Sequence, residues 1–137
     1  LEVGDTATDF EHLPFDVQRQ RCYRYCQRHP DLDHSVAYAA IGHGWVQSTT
    51  AQSIQVAPHT VMRTVPSVAQ TGNLRIHSAG GGGDATTAIA VSAQITTASQ
   101  IYLATTTDSG SGLTQGEGTF LQLNNDADAF LIFSAEL

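Results

Sequence analysis

The chain contains no lysine: all six of its basic side chains are arginine, set against thirteen aspartates and glutamates, for a formal net charge of -7. This balance argues against a general nucleic-acid surface, because neutralising a run of phosphates takes many more cations. It also excludes a P-loop in the glycine-rich stretch "AGGGGDAT" at 79–86, which has no lysine to reach a phosphate. Cysteine is scarce as well, and two residues do not make a disulfide framework. No apolar run approaches the ~18–20 residues of a membrane span, and no signal peptide opens the chain, so no membrane insertion is expected. The sequence has no H-E-x-x-H, no H-x-H and no G-x-S-x-G, and its six histidines are scattered. We therefore expect no enzyme, no metal and no cofactor.

What is present is enough for one folded unit. The 137 residues fit a single domain with a short appendage, and 41 % apolar content can supply a core. Because the first residue is Leu1 rather than Met, the chain reads as a piece of a longer polypeptide or a trimmed product. Residues 1–14, "LEVGDTATDFEHLP", show no sustained period and read as an extended linker or the end of a preceding module. Residues 15–30 read as a helix, started by Pro14, favoured by Asp16 in its first turn and stopped by Pro30. From residue 31 to 137, short runs rich in Thr, Val, Ile and Ala alternate with the turn signals "GHG", "TGN", "SAGGGGD", "DSGSG" and "NNDAD". That spacing predicts a mainly β fold, an antiparallel sandwich of jelly-roll type with one N-terminal helix. "FLQLNNDADAFLIF" reads as a terminal hairpin with Leu121, Leu123, Phe130 and Ile132 toward the core.

The segment "QRQRCYRYCQRH" at 18–29 holds four of the six arginines and both cysteines. On a helical period Phe15, Cys22, Tyr25, Cys26 and His29 share one face. A zinc site would need a second ligand pair, and a disulfide across one helical turn has poor geometry. Buried thiols and tyrosine rings at a wet boundary describe a packing helix instead, with Phe15, Cys22, Tyr25 and Cys26 as its subunit contacts.

Several stretches together resemble the C-terminal region of tailed-phage and prophage fibre, spike or tail-associated proteins. Leu1, Glu2, Gly4, Ala7, Thr8, Phe10 and Glu11 fit an L-E-x-G-x-x-A-T-x-F-E strand, and Cys22, Arg24 and Tyr25 fit an E-L-x-x-C-Q-R-Y-Y helix. Tyr23 and Cys26 depart from that second pattern. "GHGWVQSTT" is similar to a G-x-G-x-x-x-S-T-T stretch. Pro58, Met62, Arg63, Pro66 and Val68 fit P-x-x-x-M-R-x-x-P-x-V, and "IFSAEL" resembles the usual ending.

The resemblance implies a non-enzymatic virion structural protein, made in the host cytoplasm and exposed on the particle surface. It would be a homotrimer, joined to other virion proteins and bound to bacterial surface polysaccharide. Capsid decoration, as a head-fibre protein that stabilises the particle, is the alternative; a glycan depolymerase would need a carboxylate pair that no motif announces. Ligand contacts are expected on loops, where glycine admits close approach and Asp84, Asp108 and Ser109 offer oxygens to sugar hydroxyls. Trp45 and Tyr102 are the aromatic candidates for a sugar face.

Overall fold

The computed structural model describes residues 13–30, 36–92, 95–108 and 112–136. Most of the expected linker, residues 1–12, therefore lies outside the described residues. The chain is mainly β, with one helix among the described residues, α1 (Phe15–Tyr23). Pro14 caps α1, its carbonyl accepting from the Val17 and Gln18 N–H groups at 3.0 and 3.1 Å, and Asp16 sits in the first turn where the helix dipole favours an acid.

The helix stops sooner than its composition suggests, and its expected second half is a strand, β1 (Cys26–His29). Gln27 and His29 are buried while Cys26 is exposed, the two-residue period of a strand. The cause is non-local: β1 pairs antiparallel with β9 (Phe130–Ser134), from Cys26 opposite Ser134 to His29 opposite Leu131. This ladder outweighs a helix propensity worth only tenths of a kcal/mol per residue. The expected buried cysteine face is corrected with it, since Cys22 and Cys26 are both exposed and α1 buries no residue.

Six strands close into a barrel instead of stacking as a jelly-roll sandwich. They are β2 (Ala40–Ser48), β3 (Ala51–Val56), β5 (Leu74–Ser78), β6 (Gly83–Val91), β7 (Ile101–Thr107) and β8 (Gly118–Leu123), in the order β2-β3-β7-β6-β5-β8. All the pairings are antiparallel. Side chains alternate in and out. Val56 faces inward beside Ile101, Ile54 beside Leu103, Leu74 beside Leu123 and Ile76 beside Leu121, all fully buried or nearly so. Toward the other end the lining turns polar, with Gln52, Ser78, Thr105, Thr107 and Thr119 buried. There the Gln52 amide lies 3.0 Å from the Thr105 hydroxyl, a bond made in either orientation of the amide.

Closure falls to β2, which bonds β3 on one side and β8 on the other. Its "GHG" is no turn but the middle of a nine-residue strand. Gly42 and Gly44 face inward, and neither has room for a side chain. A Cβ on Gly42 would stand 2.6 Å from the Gln55 carbonyl oxygen and 2.9 Å from methyls of Ile54 and Val56; one on Gly44 would overlap the Ser53 carbonyl. Glycine here allows close approach of two backbones. Gly44→Ala should therefore cost about 3 kcal/mol or more in urea unfolding, whereas Gly118→Ala, in open space, should stay within about 0.5 kcal/mol.

The remaining sheet is three-stranded, β1-β9-β4, with β4 (Ser67–Thr71) lying against β6. Here the expected terminal hairpin is corrected: β8 and β9 belong to different sheets. Leu131 and Phe133 are buried, while Phe130 and Ile132 are only partly so. In "FLIF" every residue is apolar, so alternation carries no phase; Phe130 instead lies beneath the Arg28 guanidinium, 4.1 Å from its ring centroid.

Residues 60–63 are irregular chain running beside β1, and Gln27 ties them there. The Gln27 side-chain amide donates to the Tyr23 and Thr60 carbonyls, both at 2.9 Å, and its oxygen accepts from the His59 N–H at 2.8 Å. Gln27→Leu would leave these groups unsatisfied, so we expect a loss of about 2–3 kcal/mol in chemical unfolding, with α1 exchanging its amide protons faster than the barrel.

Candidate functional site

The three-stranded sheet meets the barrel where β4 lies against β6, and a different part of the barrel, the wall formed by β5, β8 and β2, carries exposed rings. Register fixes what this wall presents. Phe120, in the middle of β8, is flanked by His77 on β5 and His43 on β2. One step along, Trp45 stands beside Gly118; one step the other way, Gln122 stands beside Arg75. Phe120 is 46 % exposed and Trp45 44 %, although a closed barrel has inward positions that could have hidden both. Each points outward because its neighbours in sequence do not: Thr119 and Leu121 bracket Phe120, and Gly44 and Val46 bracket Trp45, all on the inner side. Gly118 leaves the space next to the indole empty.

A groove of about 310 Å³ runs beside Phe120, lined by Ala40, Ile41, Gly42 and His43. It coincides with an irregularity in the β2–β8 register between Ala40 and Gly42, of the kind that re-aims side chains at functional surfaces. Near it the Arg75 guanidinium stacks on the Tyr38 ring, 4.8 Å from the centroid. With the Gln122 amide oxygen turned toward it, Arg75 also donates from Nε at 2.8 Å and from Nη2 at 2.7 Å. A flat aromatic face, an imidazole on either side and a guanidinium held from two directions can stack on the C–H face of a sugar and donate to its oxygens.

The expected site residues are distributed differently. Trp45 lies on this wall. Tyr102 does not: it is opposite Gln55 on β7, two strands further round, where a six-stranded barrel has turned by roughly 120°. Asp84 stands opposite the fully buried Ile76, on the inner side of the β5–β6 ladder, and its Oδ1 accepts the Ala85 N–H at 2.9 Å. Asp108 is exposed just past β7, about 20 Å along that strand from Tyr102 at ~3.3 Å per residue, and Ser109 lies outside the described residues.

The two glycine-rich loops come together at Gly82 and Gly112. A side chain on Gly82 would strike the Gly112 backbone, and the Ser78 hydroxyl donates to the Gly112 carbonyl at 3.4 Å. At the helix end, Phe15 and Tyr25 are exposed along with Cys22 and Cys26.

No known protein family, curated protein or solved structure matches the chain. The wall residues that sequence reasoning passed over are Phe120, His43, His77 and Arg75. The available signal was the strict alternation in "GHGWV" and "TFLQL", small or aliphatic residues inside and rings outside. Since Trp45 and Phe120 are not core residues, Trp45→Ala and Phe120→Ala should each change unfolding free energy by no more than about 1 kcal/mol, whereas Leu121→Ala should cost about 2–5 kcal/mol.

Proposed function

We propose that this chain is a non-enzymatic adhesion domain of a phage-type fibre or spike protein, carried on the particle surface and binding bacterial surface polysaccharide through the β5–β8–β2 wall. The observation that carries this reading is the pair of exposed rings, Trp45 and Phe120, set on rigid barrel strands beside a groove and ringed by hydrogen-bonding side chains. Preformed grooves with a few placed polar groups are the usual form of a small-ligand site, and rings on strands lose little freedom when a ligand stacks on them. The likeness of "GHGWVQSTT" and "CYRYC" to fibre-protein stretches supports the same reading.

The domain works as a homotrimer attached to other virion proteins, its subunits meeting along α1. A helix with no buried residue and a Phe15 that is 73 % exposed is consistent with cover from another copy. Analytical ultracentrifugation should return the mass of three chains, and Phe15→Ala combined with Tyr25→Ala should shift it toward one.

Adhesion is tested on immobilised bacterial capsular and O-antigen polysaccharides. At least one should retain the chain without releasing reducing ends. Trp45→Ala and Phe120→Ala should each weaken that binding by about tenfold or more, the loss of one stacked ring, at unchanged melting temperature. Asp84→Ala and Asp108→Ala should weaken it far less. A folded chain that binds no polysaccharide makes the decoration role, in which the domain only stabilises the particle, the better reading.

A further inference from the structure

The chain is strongly acidic, yet the outward positions of β5, β8 and β2 carry no aspartate or glutamate among the described residues. Among the described residues, the acids adjoining these strands turn their carboxylates toward other neighbours. Asp84 faces the inner side of its ladder, opposite Ile76. Glu117, just before β8, turns its carboxylate against Gly80, where a Cβ would meet Oε1 at 3.0 Å. Asp126 accepts the Asn73 N–H at 2.9 Å and the Asp128 N–H at 3.1 Å. What the wall does carry is one guanidinium and two imidazoles: Arg75 and His77 on β5 and His43 on β2, on either side of Phe120 on β8.

From this segregation we infer that the wall takes an acidic polysaccharide, one bearing carboxylates of the uronic-acid type, in preference to a neutral glycan. The inference rests on the adhesion reading and narrows it to a ligand class. Arg75 is the centre of the recognition. Of the five N–H donors in a guanidinium, those on Nε and one on Nη2 reach Gln122, and the Tyr38 ring covers one face of the plane. The remaining edge is held in a fixed direction with donors to spare, the arrangement that suits a planar carboxylate. His77 lies two residues along β5 on the same side of the sheet, so a second donor stands about 7 Å further on. Phe120 and Trp45 then take the apolar faces of the sugar rings while the carboxylates lie along the Arg75–His77 edge. A neutral glycan would keep the stacking and lose the charge-assisted bonds. For a protein with a net charge of -7, approach of a polyanion is opposed at long range, so a ligand of this class must be held by local contacts.

The test uses bacterial capsular polysaccharides rich in uronic acids, each presented in its native form and after carboxyl reduction, which replaces each carboxylate by a hydroxymethyl group and leaves the backbone in place. Neutral capsular polysaccharides complete the panel. Binding is read by surface retention and by the fluorescence of Trp45, the single tryptophan of the chain. The expected result is that the bound members are acidic and that carboxyl reduction weakens them by about tenfold or more. Raising salt from about 0.05 to about 0.5 M should remove most of that difference, as screening requires. Arg75→Gln should abolish most of the discrimination between native and reduced forms, weakening the native form far more than the reduced one, and His77→Gln should do the same to a smaller degree. Both variants are checked for an unchanged melting temperature, and either one suffices.

Equal binding of native and reduced forms, or binding confined to neutral members, overturns the acidic class while leaving adhesion standing. A panel in which no polysaccharide of either kind is bound overturns both.

Discussion

Closure of the barrel depends on how near β2 can come to β3. Two strands hydrogen-bonded to each other stand about 4.8 Å apart, but a small barrel must also curve sharply, and curvature crowds whatever points inward. At Gly42 and Gly44 that crowding leaves no volume for even a methyl group. With these two positions empty, Ile54 and Val56 fill the space in front of β2, and the aliphatic layer formed with Leu103, Leu121 and Ile76 is continuous. The outer wall follows from the same constraint. Where the inner side of β2 must be glycine, at Gly42 and Gly44, its large residues stand on the outer side, at His43 and Trp45.

The interior is divided along its length. One end is aliphatic, and the other is lined by threonine, serine and glutamine whose hydroxyls and amide bond to each other or to backbone, as Thr119 does to the His77 carbonyl at 3.0 Å. Buried polar groups that are satisfied cost little and hold a specific geometry. At this polar end the two glycine-rich loops meet at Gly82 and Gly112, backbone against backbone. That end of the barrel is where the two loops touch, and the exposed rings of Trp45 and Phe120 lie on its side wall.

Much of this was legible in the sequence where the determinants are local. Pro14 and Asp16 mark the start of α1, and three of the turn signals, "TGN", "SAGGGGD" and "DSGSG", carry a glycine of positive φ: Gly72, Gly81 and Gly112, at 71°, 89° and 75°. Features decided by distant partners were not legible. Cys26–His29 is extended because of a ladder with residues more than a hundred positions away. "TGN" does reverse the chain, yet it joins β4 to a strand of another sheet instead of closing a hairpin. "GHG" carries a composition shared by turns and by strands squeezed against a neighbour, and only the barrel tells the two apart. Of the site, Trp45 was visible as a lone tryptophan, whereas the Phe120, His43, His77 and Arg75 cluster exists only once β5, β8 and β2 are placed side by side.

The way α1 is attached has a consequence for how such a chain can change over time. Its link to the sheet runs through backbone, the Tyr23 carbonyl held by the Gln27 amide, while Tyr23 rests its ring near His59 at 5.0 Å. The side chains from Phe15 to Cys22 are all exposed, so none is committed to the core. Substitution there alters what the helix can meet without altering how the barrel folds. The exposed face of α1 and the β5–β8–β2 wall thus sit on separate parts of the chain, free to diversify independently, and a drift in one leaves the other intact.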